Sequence, residues 1–130
     1  MEVLLVFKES MVIESHKGQY SATFCENGAE NLVNNLPEKN YHIIIDRRVA
    51  ELYSNELQPI LNHSSVLQIE AHESNKSLEV MPDYVAHLVN RQIRRDDILI
   101  AIGGGIIQDI TCFLAATLLR GVDWYFYPTT

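Results

Sequence analysis

The chain of 130 residues has the length and composition of one globular domain, with 47% hydrophobic and 21% charged residues, and it can bury a core of its own. Its net charge of −7 and the lack of any run of Lys or Arg argue against binding to a nucleic-acid backbone or to an anionic membrane surface. The two cysteines, Cys25 and Cys112, stand far apart and predict a reduced, cytoplasmic protein.

In chain order, the first predicted elements are short strands. Residues 3–8 (VLLVFK) are predicted as a strand rather than a signal peptide, because the apolar run is short and follows an acidic residue. Two further strands are predicted at residues 11–15 and 18–26, and a helical turn or two at residues 29–36 before Pro37.

From Tyr41 onward, predicted strands and helices alternate. The strands are at residues 41–46, 64–71, 97–102 and 124–130, and the helices are at residues 47–61, 77–93 and 105–120. Such alternation specifies a parallel sheet with helices on both faces. We therefore predict a single α/β, Rossmann-like domain over residues 1–130, with a mostly parallel sheet preceded by short N-terminal strands.

Three consecutive glycines, Gly103, Gly104 and Gly105, separate the strand at residues 97–102 from the next helix. In open α/β sheets ligands bind beyond the carboxyl ends of the strands. Glycines there let the backbone turn sharply and let a pyrophosphate approach the amides at the helix N-terminus. The alternative is a tight turn without a ligand, for which one glycine would suffice. The stretch matches neither the Walker A loop nor the G-x-G-x-x-G fingerprint.

The helix at residues 105–120 is apolar nearly all round, which predicts burial on more than one side. Near its start, Asp109 either complements the positive end of the helix dipole or accepts a hydrogen bond from a bound group, such as the carboxamide of a nicotinamide. Asp46, at the end of the strand at residues 41–46, also has two interpretations. It accepts hydrogen bonds from ribose hydroxyls, or it caps the helix that begins at Arg47.

Several motifs together resemble the nucleotide-binding half of the dehydroquinate synthase family over residues 41–130. The shared pattern consists of the three glycines, Asp109, an apolar helix, Arg120-Gly121-Val122, Pro128-Thr129-Thr130 and an upstream Glu73-x-x-Lys76. Four positions depart from the family pattern: Gln108, Thr111, Cys112, and His72 before Glu73. These departures are compatible with NAD binding, but with them the resemblance does not identify the substrate.

The resemblance implies a role for each matched position. Asp46, Glu73 and Lys76 would bind the adenosine and ribose side of NAD, with Lys76 near the phosphates; Gly103, Gly104 and Gly105 would line the pyrophosphate; Asp109 would hold the nicotinamide amide; and Thr129 and Thr130 would contact the cofactor. Arg120 would reach across a dimer interface to the substrate phosphate of the neighbouring subunit. From the residues alone, Arg120 and Gly121 also fit an ordinary helix C-terminus. Likewise, Glu73 and Lys76 also fit a solvent-exposed ion pair at the start of a helix.

The resemblance also implies an activity. The chain would be the NAD-binding domain of a 3-dehydroquinate synthase-like carbon–oxygen lyase, which converts a 7-phosphorylated heptulosonate into a carbocycle with phosphate elimination, in the shikimate pathway of aromatic amino acid biosynthesis. Such enzymes are homodimers that use NAD and a divalent metal, zinc or cobalt. Their metal ligands, one Glu and two His, belong to a C-terminal helical domain. We expect this chain to be a fragment lacking that domain, and to be inactive by itself.

The histidines of the chain, five in number, show no spacing typical of metal ligands on one helix, and we predict surface or hydrogen-bonded core positions for them. Two alternatives to the lyase remain open. One is a metal-dependent alcohol or glycerol-type dehydrogenase, and the other is a non-catalytic nucleotide-binding module.

Overall fold

The computed structural model describes residues 9–24 and 27–129. In this part of the chain the strands are β1 (Glu9–Ser15), β2 (Gly18–Phe24), β3 (Tyr41–Asp46), β4 (Val66–Ile69), β5 (Ile98–Gly103) and β6 (Asp123–Pro128). The α-helices are α1 (Gly28–Asn34), α2 (Arg47–Leu52), α3 (Gln58–Leu61), α4 (Met81–Asn90) and α5 (Gly105–Thr117). Short 3₁₀ helices span Glu73–Lys76 and Leu118–Arg120. The predicted strand at residues 3–8 lies outside the described residues, as do Cys25 and Glu26 of the predicted strand at residues 18–26.

The alternation after Tyr41 produces one parallel sheet, which confirms the predicted Rossmann-like class. Its strand order is β4-β3-β5-β6, and each neighbouring pair is parallel. The strands β1 and β2 form a separate antiparallel hairpin. Because all four strands of the larger sheet run the same way, the residues that follow them gather at one end of the sheet, which we call the carboxyl end.

Both faces of the parallel sheet are covered, as the sequence predicts. Successive strand residues point to opposite faces, so Ile44 and Leu99 pack with α4 and α5 while Ile43 and Ile100 pack with α1, α2 and α3. The central strand β5 is buried along its whole length. This explains why its sequence is a continuous apolar run and not an alternating one.

The predicted helix at residues 47–61 is wrong in its extent, because the structure divides it into α2 and α3. Pro59 stands in the first turn of α3, where a proline needs no backbone donor, and inside a longer helix it would remove a hydrogen bond. Leu52 and Tyr53, which continue the helical spacing of apolar residues in this stretch, are exposed. The helix predicted at residues 77–93 is likewise shorter, and Gln92 follows it in a left-handed conformation (φ 59°).

Helix α5 buries one side against the sheet, through Ile107, Ile110 and Leu114. The described residues do not cover its other side, so the predicted burial of that side, which would need a further domain or a partner subunit, stays a prediction. There Phe113 is 38% exposed, and it lines a shallow apolar groove of about 610 Å³ together with residues of α4 and the turn before it. None of the helices in the described part combines the length and the hydrophobicity that a membrane crossing requires.

A buried polar network joins the amino ends of three strands. The His42 ring lies within hydrogen-bond distance of Ser65 through Nδ1 (2.6 Å) and of Asp97 through Nε2 (2.9 Å). The same oxygen of Asp97, Oδ2, accepts the backbone N–H of Arg94. A carboxylate accepts and does not donate, so His42 Nε2 donates its proton to Asp97. His42 is therefore a hydrogen-bonded core histidine, as predicted.

We expect this network to contribute measurably to stability. An Asp97→Ala substitution leaves His42 Nε2 and the Arg94 N–H without their acceptor, and it should lower the free energy of unfolding by about 1–3 kcal/mol. The neighbouring Asp96 is exposed, so Asp96→Ala is the matched control and should change the stability little. Urea unfolding followed by Trp124 fluorescence measures both. Equal stabilities for the two variants would contradict a stabilising role for the network.

The prediction for the histidines is wrong for His87, whose buried Nε2 has no hydrogen-bond partner in the described residues. Burial, and then the charges of Arg91 and of His42, lower the pKa of His87 from its ordinary 6.5. The folded chain thus favours the neutral ring, while the unfolded chain takes up a proton as the pH falls through 6.5. Proton uptake by the unfolded state lowers the stability at acidic pH.

A His87→Gln substitution should therefore make the stability less sensitive to acid. We expect the wild type to lose more free energy of unfolding than His87→Gln when the pH falls from about 7.5 to about 5.5, the range in which histidines titrate. His16→Gln, in the exposed turn of the hairpin, is the control and should retain the wild-type dependence. Identical pH dependences of all three proteins would contradict this expectation.

Candidate functional site

The three glycines lie at the carboxyl end of the sheet, and packing within the chain requires glycine at Gly103. Gly103 is buried at the end of β5, where a Cβ would lie 2.6 Å from Ile107 Cγ1 and 3.2 Å from Asp46 Cβ. Such distances leave no room for a side chain without movement of α5. None of the three glycines has a left-handed φ, so the sharp turn that we predicted does not explain them.

Gly105 has a different environment. A Cβ at this position would meet no atom within 4 Å, so packing within the chain does not require glycine there. Gly105 is the first residue of α5, and Gly104 before it provides no side chain to cap the helix. The N–H groups of the first helical turn therefore lack a side-chain acceptor, and the positive end of the helix dipole is open to an anion.

A lysine stands beside this helix N-terminus. Lys76 Nζ lies 3.0 Å from Glu73 Oε2 within the 3₁₀ helix and 3.3 Å from Asp109 Oδ2 on α5. The hydrogen bonds to Glu73 and then to Asp109 raise the pKa of Lys76 above its ordinary value, so the ammonium keeps its charge near neutral pH. The structure thus brings together three of the side chains that the resemblance singled out.

Asp46 caps α2, which confirms one of the two interpretations of this residue. Its Oδ1 accepts the backbone N–H of Arg48 at 2.8 Å, and its Cβ is next to Gly103. A carboxylate has room for further donors on its second oxygen. Capping and ribose binding are therefore compatible, and the ribose contact stays a prediction.

The last predicted cofactor residues adjoin β6. The Thr129 N–H donates to the Gly103 carbonyl at 2.9 Å, which holds Thr129 next to the glycines, while Thr130 lies outside the described residues. Arg120, by contrast, is remote from them. It follows the far end of α5, roughly 20 Å from Gly105 at 1.5 Å per residue, in an exposed turn with a left-handed φ of 66°. Within one chain it does not join the other candidates.

A second polar group at the carboxyl end was missed by the sequence analysis. Arg47 Nη1 lies 3.1 Å from Glu70 Oε1, and both residues line a hollow of about 190 Å³. The remaining lining residues are Gln68, Ile69, Asn75 and Tyr84. The signal available in the sequence was positional, since Arg47 and Glu70 each directly follow a parallel strand.

No metal site is evident in residues 9–24 and 27–129, where no three His, Cys, Asp or Glu side chains gather closely enough to bind an ion. Cys112 is also a poor candidate for chemistry. Its burial, and then the charge of Asp109, raise the pKa of the thiol, which disfavours the reactive thiolate.

The fold and this arrangement define a class: an open parallel α/β domain with a glycine-lined helix N-terminus and a lysine at the carboxyl end of its sheet. Residues 66–130 match the family of 3-dehydroquinate synthase N-terminal domains. The chain belongs to the 3-dehydroquinate synthase family, as the sequence motifs predicted.

Relatives of known function agree with this assignment. The chain is 35% identical over 100 residues to the 3-dehydroquinate synthase of Staphylococcus carnosus, an alignment that covers 72% of this chain and 28% of the relative. It is 40% identical over 90 residues to that of Dichelobacter nodosus, covering 68% and 24%. The chain thus spans less than a third of the length of these relatives.

Solved structures share the fold. A crystal structure of 2-deoxy-scyllo-inosose synthase superposes with a TM-score of 0.75 at 20% identity, over 94% of this chain and 36% of that one. The 2-epi-5-epi-valiolone synthase of Streptomyces hygroscopicus, solved with NAD⁺ and Zn²⁺, superposes with a TM-score of 0.63 at 28% identity, over 76% of this chain and 30% of that one. Both synthases therefore share the fold of this chain.

The different environments of Gly103 and Gly105 lead to a stability prediction. Gly103→Ala should destabilise the fold by about 1–3 kcal/mol, because the new methyl group overlaps Ile107. Gly105→Ala should leave the stability unchanged or raise it by up to about 1 kcal/mol, because alanine is the better helix residue. Thermal or urea unfolding of the two variants tests this contrast. A Gly105→Ala variant as unstable as Gly103→Ala would refute it.

Proposed function

We propose that the chain binds NAD at the carboxyl end of its sheet, as the nucleotide-binding domain of a 3-dehydroquinate synthase-like lyase. The observation that carries the proposal is the open N-terminus of α5. Gly105 leaves free space where a side chain would stand, and no side chain caps the helix. Uncapped amides and a helix dipole are suited to a diphosphate.

Relatives support this choice of cofactor. One 2-deoxy-scyllo-inosose synthase structure is a complex with carbaglucose-6-phosphate, NAD⁺ and Co²⁺, and the 2-epi-5-epi-valiolone synthase structure contains NAD⁺ and Zn²⁺. Both proteins share the fold of this chain. The residues present here fit a dinucleotide, because the helix N-terminus and the Lys76 ammonium offer hydrogen-bond donors and positive charge to an anion.

The strand order suggests a direction for the bound dinucleotide. Asp46 ends β3 and lies on one side of Gly103, while Thr129 follows β6 on the other side. We propose that the adenosine ribose binds near Asp46, that Gly104 and Gly105 receive the diphosphate, and that the nicotinamide lies toward Thr129. Thr130 would extend the same contact.

Within this arrangement the charged side chains orient the cofactor. Lys76 bridges Glu73 and Asp109 across two separate elements, so it is held near the first turn of α5. We propose that it supplies positive charge to the diphosphate, and that Asp109 accepts a hydrogen bond from the nicotinamide carboxamide. When bound, NAD⁺ would supply a reversible acceptor for a hydride from the carbon that bears a substrate hydroxyl, and the residues of this chain would fix its position.

We further propose the whole protein's activity from its family. It would convert a 7-phosphorylated heptulosonate into a carbocycle by phosphate elimination, in the shikimate pathway, as a cytoplasmic homodimer. Arg120, which is remote from the glycines of its own chain, would then bind the substrate phosphate of the partner subunit. A divalent metal would draw its ligands from outside the described residues, so the chain alone would bind NAD without catalysis.

Binding of NAD⁺ tests the proposal directly. We expect isothermal titration calorimetry to detect NAD⁺ binding to the wild-type chain, and a Gly105→Leu substitution to weaken it by about tenfold or more, which corresponds to about 1.4 kcal/mol. The leucine side chain would occupy the space left for the diphosphate. Ala116→Leu, at an exposed position farther along α5, is the matched control and should bind as the wild type does.

Circular dichroism of each variant confirms that the fold is retained. The proposal fails if the wild-type chain does not bind NAD⁺, or if Gly105→Leu binds it as tightly as Ala116→Leu does.

A further inference from the structure

The ion pair between Arg47 and Glu70 follows from the register of two parallel strands. Asp46 at the end of β3 is paired with Ile69 at the end of β4. The residues that follow them, Arg47 and Glu70, therefore lie next to each other. Arg47 Nη1 and Glu70 Oε1 are 3.1 Å apart. The pair is therefore next to Asp46, at the end of the sheet where the proposed adenosine ribose binds.

The Glu70 carbonyl is held by Asn75, and Asn75 is held in turn by Tyr84. Asn75 Nδ2 donates to the Glu70 carbonyl at 2.9 Å, and the Tyr84 hydroxyl donates to the Asn75 carbonyl at 2.7 Å. The second carboxylate oxygen of Glu70 lies 3.9 Å from His72 Nε2. Helix α4 thus fixes the segment that carries Glu70, and the carboxylate faces Arg47 across the polar hollow.

We propose that Glu70 is a specificity residue that makes this site select NAD over NADP. The inference rests on the proposed function. NADP differs from NAD by a phosphate on the adenosine ribose, and a nearby arginine is the usual partner of that phosphate. In this chain the corresponding arginine is Arg47. Glu70 pairs with its guanidinium, and Asp46 places a second carboxylate at the neighbouring position.

Because the Arg47–Glu70 pair is exposed to solvent, the proposed selection of NAD over NADP can be altered by changing the local charge. The Arg47 and Glu70 side chains are 50% and 53% exposed, so their mutual attraction is weak. The selection therefore depends on local charge rather than on a buried contact. A 2′-phosphate next to two carboxylates is repelled, and removal of Glu70 leaves Arg47 free to form charge-assisted hydrogen bonds with that phosphate.

Calorimetry with NAD⁺ and NADP⁺ on the full chain tests the inference. We expect Glu70→Ala to lower the ratio of the NADP⁺ to the NAD⁺ dissociation constant by about tenfold or more, the size expected for a hydrogen bond to a charged group. The NAD⁺ dissociation constant itself should change little. The gain should shrink at high salt, because the charges are exposed.

Three further variants separate the possible causes of a change in the ratio of the two dissociation constants. Arg47→Ala/Glu70→Ala should show no gain for NADP⁺, and neither should Glu51→Ala, which removes an exposed acid of α2 and leaves the pair intact. Glu70→Gln removes the charge while nearly preserving the shape, and serves if the alanine variant does not fold. A ratio unchanged in both Glu70 variants overturns the inference, as does an equal gain in Glu51→Ala.

The result also distinguishes this inference from the proposed function. If the wild-type chain binds NAD⁺ and the ratio does not move, Glu70 is not the specificity residue and the cofactor site stands. If the wild-type chain binds neither nucleotide, the proposed function fails and the inference fails with it.

Discussion

The approach of α5 to the strand end at Gly103 determines the geometry of the whole carboxyl end. Ile107, one turn into the helix, occupies the place that a Cβ on Gly103 would need, so the helix N-terminus lies directly against the sheet. Asp46 touches the same position from the neighbouring strand. Because Gly103 has no side chain, two strands and the N-terminus of α5 can pack closely together. This packing determines where the uncapped amides of α5 lie.

The two ends of the sheet are built from different kinds of interaction. At the amino end, His42 and Asp97 are buried and hydrogen-bonded to each other, which favours a single rigid arrangement. At the carboxyl end, Lys76 and Asp109 meet in an ion pair that solvent reaches, and such pairs break at little cost. A stiff amino end and an adjustable carboxyl end would suit the proposed binding of NAD at the carboxyl ends of the strands.

Much of the fold was predictable because it depends on local periodicity. The alternation of apolar strands and amphipathic helices after Tyr41 predicted the parallel sheet and its two covered faces, and the structure confirms both. The same periodicity failed over residues 47–61, where apolar spacing continues through a chain that turns before Pro59. Periodicity reports which residues could share a face, and it does not report whether the backbone remains helical between them.

The sequence by itself determined the class of fold, the family, and the presence of glycines and acids at strand ends, because these are properties of neighbouring residues. Only the tertiary structure decided which distant side chains meet. Lys76 and Asp109 are 33 residues apart, Arg47 and Glu70 are 23 apart, and His42 and Asp97 are 55 apart. Each pair arises from strand register and from helix packing against the sheet, which a linear pattern does not encode.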